Sequence, residues 1–371
     1  MSNESIENIT SELLLPHIKK EICSALQIHT SIVIAIAIYL TTCIGTVYHY
    51  GNIDIFFSQL SMHYSHAITL YCACLAIALT SRCAYIMFFI RPQKLFRYIK
   101  SDITDKLPTI DRIIFALPII ILLPLFFSTF STFKIMIPYI HPFDYDHALA
   151  TIDKALHFGK HPWEWLQPVL GHPAITFVID QIYFKGWFLV MYLSLTLQAF
   201  NSYNPQLRMR FFLSCICTWI LLGNIAATFL SSAGPCYYNV VTGSQDPYSA
   251  LHSYLTGVND SIYLYAINLQ NLLWNLHINH SQMLGSGISA APSMHVAMTF
   301  LITLTCWHIN KKLYFFSILF LLIILAGSVH LNWHYAVDGY LSIVGTWLIW
   351  ILIGALTKNI KTTTQDSLLS T

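Results

Sequence analysis

Two histidines and an aspartate stand out as residues able to do chemistry. His334 and Asp338 lie four apart in the stretch 327–340, Gly-Ser-Val-His-Leu-Asn-Trp-His-Tyr-Ala-Val-Asp-Gly-Tyr, at the mouth of the last long apolar segment. A helix beginning near Trp333 puts both on one face, so the Asp338 carboxylate accepts the Nδ1 proton of His334 and leaves Nε2 free. That arrangement turns an imidazole into an oriented nucleophile or base. His295 follows Ala-Ala-Pro-Ser-Met and runs into Val-Ala-Met-Thr-Phe. Proline suits the first helical position, so a helix is expected to open at Pro292, with the amides of Ser293, Met294 and His295 as unpaired donors. Such a terminus is a ready anion site. Two histidines, a carboxylate and an amide cradle fit phosphoryl transfer, with no metal and no cofactor called for.

The elements that must position these residues are membrane spans. Of 371 residues, 56% are hydrophobic and only 10% charged, the composition of an all-α polytopic membrane protein rather than a pair of soluble domains. A net charge of +2, with no basic stripe and no Gly-rich phosphate loop, gives no case for nucleic acid as a partner. The nine cysteines lie mostly inside apolar runs and read as small buried hydrophobes. Apolar runs near 29–49, 65–90, 113–135, 173–199, 210–231, 293–309, 313–331 and 334–356 predict about eight transmembrane helices.

Lysine and arginine sort between the loops consistently with that count. Lys19 and Lys20, the run from Arg91 to Arg112, Arg208 with Arg210, Lys311 with Lys312, and Lys358 with Lys361 all fall on one side, leaving Lys134, Lys154 and Lys160 opposite. The positive-inside rule then makes both termini cytoplasmic and turns Ser231–Tyr238, Pro292–His295 and Ser328–His334 outward, where they can share one pocket.

At these motifs the chain resembles the type-2 phosphatidic acid phosphatase (PAP2) superfamily. Pro292-Ser293-x-His295 and His334-x-x-x-Asp338 look like its second and third motifs, and the wording Ala-Pro-Ser-Met-His and His-Tyr-x-Val-Asp is closer to its inositol phosphorylceramide synthase branch. Asp153, Phe158-Gly159, Pro162, Asp180 and Tyr183 look like that branch's lead-in, so the resemblance covers roughly residues 140 to 356. It implies a six-helix catalytic core over 113–356, preceded by a cytoplasmic segment (1–28) and two added spans with a basic loop (29–112), and followed by a cytoplasmic tail (357–371). It also implies that His334 attacks phosphorus, Asp338 orients it, His295 protonates the leaving oxygen, and Ser293 with Met294 helps hold the phosphate. Two departures stand out. Ser231-Ser232-Ala233-Gly234-Pro235 occupies the place of a first motif that carries a lysine and an Arg-Pro, and Ser328 stands where the third motif has an arginine. Pro235 and Ser328 are therefore candidates for the substrate site by position only. His330 or an unplaced lysine is the expected substitute for the missing charge.

Three charges fall inside apolar segments, where each costs about 2.5–3.5 kcal/mol on insertion scales: Arg82, Asp180 and Lys185. Asp180 is expected in the acceptor pocket with Tyr183. Lys185 is expected too deep to reach the motifs, and Arg82 to snorkel or pair within the bundle. His157 and His161 are four apart, but Gly159 and Pro162 argue against a continuous helix and against a metal pair. The stretch from Ile262 to His277 reads as an amphipathic helix lying on the membrane surface.

The expectation is a lipid phosphotransferase that moves a phosphoryl or phospho-headgroup from a phospholipid donor to a hydroxylated lipid or polyol through a phosphohistidine. With water as acceptor the same site is a lipid phosphatase. A transporter or scaffold with a vestigial site is the alternative from another class.

Overall fold

The computed structural model describes Pro16 and residues 19–50, 53–106, 110–201 and 203–358. Most of the expected cytoplasmic N-terminal segment (1–15 and 17–18) and of the tail (359–371) lies outside the described residues. In chain order the helices are α1 (Thr30–His49), α2 (Ile53–Tyr85, running on through a π-turn at Ile86–Ile90), α3 (Leu95–Lys106), α4 (Ile110–Ile140), α5 (Asp146–Leu156), α6 (Pro162–Leu170) and α7 (Pro173–Ala199). They continue as α8 (Pro205–Phe229), α9 (Tyr238–Thr242), α10 (Ser249–Asn259), α11 (Tyr265–Ile278), α12 (Met294–Ile309), α13 (Lys311–His330) and α14 (Ala336–Thr357). Among the described residues there is no strand.

Among the described residues, six helices are long and apolar enough to cross a bilayer: α1, α4, α7, α8, α13 and α14. Of the other two expected spans, α12 is the shorter. At 16 residues, or about 24 Å, α12 is shorter than a hydrocarbon core of about 30 Å, and it packs centrally against α8, α13 and α14. α2 is 33 residues long, and its first half carries Gln59, His63 and His66. His63 and His66 have an inward use described below.

Polar side chains end the helices and mend their interiors. Asn204 caps α8 by accepting from Leu207 N, and Asn310 caps α13 by accepting from Lys312 N. α4 carries Pro118, Pro124 and Pro138 in its interior, and the Tyr64 hydroxyl donates to the Ile121 carbonyl beside Pro124, 2.9 Å away. α7 and α8 each contain a π-turn, at Ile182–Gly186 and Leu221–Ala226, which shifts the face of the helix that follows. In α7 this turns Tyr183, Phe184 and Trp187 into the core.

At one end of the bundle three buried carboxylates tie loops to helix starts. Asp146 accepts from Ser232 Oγ (2.8 Å), Ala233 N (2.9 Å), Gly234 N (2.9 Å) and the Tyr335 hydroxyl (2.9 Å). Asp153 accepts from Ala336 N and Val337 N, the first amides of α14, at 2.7 and 2.8 Å. Asp180 does the same for α11 through Tyr265 N and Ala266 N, at 2.8 and 2.9 Å. Each satisfies amides that a helix or loop would leave bare, with a charge on the favourable end of the dipole where a helix starts. Burial pushes the carboxyls of Asp146 and Asp153 up from their usual range, and the hydrogen bonds they accept pull the other way.

α11, expected to lie on the membrane surface, is tied to the bundle at its start and at its middle. Asp180 draws its first turn into the bundle, and Gln270 Nε2 donates to the Leu331 carbonyl (3.0 Å), pinning the helix over the loop that carries His334. Ala266, Ile267 and Gln270 form its buried face, while Leu272 is exposed. Lys185, expected too deep to reach the motifs, is outside the cavity lining, with its ammonium 4.9 Å from the centre of the Tyr265 ring. Arg82 pairs with Asp102 of α3 through two hydrogen bonds of 2.8 Å.

Candidate active site

His334 sits in the turn between α13 and α14. Its own amide and that of Trp333 both donate to the Ser328 carbonyl, at 3.1 and 3.0 Å, and Asn332 adopts a left-handed conformation (φ 60°) to make the turn. The imidazole Nδ1 lies 2.8 Å from the Ala290 carbonyl. A carbonyl can only accept, so Nδ1 carries the proton and Nε2 presents its lone pair. The Asp338 carboxylate is 3.5 Å from the same Nδ1, and its Oδ2 accepts from Tyr335 N at 3.1 Å. The sequence pointed to Asp338 as the Nδ1 acceptor. In the structure the closer acceptor is the Ala290 backbone, with the fully buried Asp338 behind it as the negative partner.

His295 opens α12. The helix starts at Met294 with Ser293 as its N-cap, so Pro292 lies one residue outside the helix and not at its first position. Of the three amides expected to cradle an anion, that of Ser293 is taken by the Asp338 carbonyl at 3.3 Å. The hydroxyl of Ser293 is buried without a hydrogen-bond partner. The His295 ring is stacked on Tyr183, with centroids 4.4 Å apart and planes at 15°, and leans on Trp187 at 4.2 Å. Trp187 Nε1 also donates to the His295 carbonyl. Held between two aromatic rings, the imidazole keeps its Nε2 buried and unpaired.

The two imidazoles stand 6.4 Å apart, centroid to centroid, at the polar end of a cavity of about 470 Å³. With contact distances of about 3 Å to each ring nitrogen, that gap admits one phosphoryl group. The walls are mostly apolar: Leu123, Phe127 and Phe130 from α4, Phe184, Phe188 and Met191 from α7, Leu269 and Leu273 from α11, and Met294 from α12. His63, His66, Ser131 and Lys134 supply further polar lining, with His63 Nε2 and Ser131 Oγ hydrogen-bonded at 3.2 Å. An apolar chamber with a few convergent polar groups is the usual form of a ligand site.

Of the residues singled out in the sequence, His334, His295, Met294, Pro292 and Tyr183 line the cavity. Ser328 does not face it, since its hydroxyl donates to the Leu325 carbonyl; its carbonyl is what holds the His334 turn. His330 points away, with Nε2 2.9 Å from Thr176 Oγ1. Pro235 begins a short 3-10 turn and is buried between Ala233 and Tyr237, which do line the cavity. Asp180 serves α11, as described, and is outside the lining. His157 and His161 bond to different partners, Tyr340 and Tyr248, and among the described residues no group of three or more potential ligands could hold a metal ion.

Sequence reasoning missed Trp187, Trp333 and Lys134 as cavity residues. Lys134 was legible in principle, being the one charged residue of α4 beyond Arg112.

A helical membrane bundle whose two histidines meet with free Nε2 atoms at the end of an apolar chamber has the architecture of a membrane enzyme for phosphoryl groups. Residues 147–355, more than half of the chain, match the model of the PAP2 superfamily, and the chain belongs to that family. Membership points to lipid phosphatase or phosphotransferase activity. No curated protein and no solved structure matches the chain. α1 to α4, which close one side of the bundle and include the Lys134 wall of the cavity, precede the matched segment.

Proposed function

We propose that the protein is a lipid phosphotransferase that moves a phosphoryl or phospho-headgroup from a phospholipid donor to a hydroxyl acceptor through a phosphohistidine. The observation that carries this reading is the pair of imidazoles 6.4 Å apart in one largely apolar cavity of about 470 Å³, His295 with Nε2 unpaired and His334 with Nδ1 held by the Ala290 carbonyl. His334 Nε2 attacks phosphorus, forming the N–P bond as the P–O bond to the leaving alcohol breaks. Protonated His295 gives its Nε2 proton to that oxygen. In the second half-reaction His295, now neutral, takes the proton of the acceptor hydroxyl as its oxygen attacks phosphorus and the N–P bond breaks. Ala290 and Asp338 keep the proton on Nδ1 of His334, so that Nε2 is the nucleophile in each cycle.

Acceptor choice separates transferase from phosphatase. A chamber walled by α4, α7, α11 and α12 is wide enough for apolar chains beside the phosphate, which favours a lipid hydroxyl over water. Resemblance to the inositol phosphorylceramide synthase branch makes an inositol phospholipid the first donor to try, with ceramide or diacylglycerol as acceptor. The active site is read as extracytoplasmic, since Arg112, Arg208, Arg210, Lys311 and Lys312 belong to the helix ends opposite the histidines.

The test supplies purified protein with phosphatidylinositol, phosphatidate or a prenyl diphosphate, with and without each acceptor. Lipid mass spectrometry and phosphate release are read together. A new phosphodiester lipid formed by wild type and not by His334→Ala is the expected result. Free phosphate with no new lipid would replace the transferase by a phosphatase.

A further inference from the structure

We propose that Lys134 is the cation that binds the phosphate group in this cavity, with the Tyr183 hydroxyl and the Trp333 indole N–H as its neutral partners. The inference rests on the phosphoryl-transfer reading of the histidine pair and adds the group that neutralises the phosphate.

Lys134 lies six residues before the end of α4, inside an apolar segment where a charge is costly. It lines the same cavity as His295 and His334. Among the described residues it forms no hydrogen bond and no ion pair, and the carboxylates at this end of the bundle are committed elsewhere. Asp146, Asp153 and Asp180 hold backbone amides, and Asp338 stands behind His334. An ammonium facing an apolar chamber without a counter-ion is destabilising unless something anionic enters.

Its placement relative to the histidines is built in. Gly287, at φ 98°, crosses α4 so closely that a Cβ there would come within 3.0–3.2 Å of backbone atoms of Lys134 and Ile135. Three residues further on, the same loop delivers the Ala290 carbonyl to His334 Nδ1. Lys134 and His334 are thus referenced to one short strip of chain. Two further donors complete the set. Tyr183 is 1% exposed and its hydroxyl has no partner, and Trp333 Nε1 is buried and unpaired; both residues line the cavity. One cation and two neutral donors, all lining the cavity that the two imidazoles share, match the oxygens of a single phosphate group.

The experiment uses the full-length protein in detergent as wild type, Lys134→Met, Lys134→Arg and His334→Ala, with orthovanadate as the phosphate mimic and phosphatidylinositol as donor. Lys134→Met keeps the length and removes a buried unpaired charge, so the vanadate-free melting temperature should stay level or rise, whereas a structural role for the ammonium would lower it. Vanadate should raise the melting temperature of wild type and of Lys134→Arg but not of Lys134→Met. The donor KM should rise about tenfold or more in Lys134→Met, as expected for loss of a charged hydrogen bond, and largely recover in Lys134→Arg. A wild type that vanadate does not shift, or a Lys134→Met protein that it shifts equally, overturns the proposal. His334→Ala separates the two readings. If it turns over donor normally the phosphohistidine reading falls, whereas a dead His334→Ala beside a Lys134→Met protein with wild-type KM removes only the assignment of Lys134.

Discussion

Two sets of buried polar groups at the functional end of this bundle treat hydrogen bonds in opposite ways. In the rim, Asp146, Asp153 and Asp180 are each met by at least two backbone amides. Beside that rim, and among the described residues, His295 Nε2, the Tyr183 hydroxyl, Trp333 Nε1 and Asp338 Oδ1 have no partner, and Lys134 has no anion. Unmade hydrogen bonds in a buried site cost about 1–3 kcal/mol each, so a cluster of them is retained only where a ligand or water completes it. The satisfied carboxylates build the frame, and the unsatisfied groups are what the frame exists to hold.

That contrast can be broken from the inside first. His334→Ala removes the nucleophile and should reduce turnover to background while leaving the melting temperature near that of wild type. His295→Gln should cost about 10²–10⁴-fold in kcat, the range of a lost general acid–base, again with the fold intact; an unchanged kcat in a steady-state assay would take His295 out of the chemistry. The rim should respond in the opposite order. Asp146→Ala strands two backbone amides, the Ser232 hydroxyl and the Tyr335 hydroxyl, and should lower stability by about 3 kcal/mol or more in denaturant titrations, with activity lost through unfolding. Gly234→Ala tests the seam between the regions. Its φ of 99° disfavours a side chain, and a Cβ would come 2.7 Å from the Trp333 carbonyl, adjacent to His334. A loss of about 1–3 kcal/mol is expected, with kcat falling in the protein that remains folded. The smallest effect is reserved for His330. Bound to Thr176 and turned from the cavity, it should tolerate His330→Gln with kcat/KM changed by less than about threefold. A large loss of activity there would mean that its position in the cavity-free side of α13 is not the working one.

How much of this was legible in the sequence follows the same division. Spans announced themselves because about 20 consecutive apolar residues have few other uses, and six of the expected eight have the length and hydropathy to cross. α12 blurs because it is short at the centre of the bundle. The histidines were legible as local patterns, His334 with Asp338 and His295 behind Pro292. What a local pattern cannot supply is a partner from elsewhere in the chain. Ala290 reaches His334 across 44 residues, and Asp180 reaches the start of α11 across more than 80. Asp180 looked like a pocket residue because a charge in an apolar segment has two physical explanations, ligand binding and capping in trans, and only the fold distinguishes them. Lys134 shows the converse, a charge near a span end that was counted for topology and belongs to the cavity wall.

The most direct test is to trap the covalent intermediate. Wild type and His334→Ala would be mixed with headgroup-labelled phospholipid donors without acceptor, quenched in base, which spares phosphohistidine, and digested for mass spectrometry. The histidine pair predicts label on His334 in the wild type, discharged on adding acceptor, and none in the variant. Label on another residue, or turnover by wild type through no labelled enzyme at all, would contradict a phosphohistidine at His334.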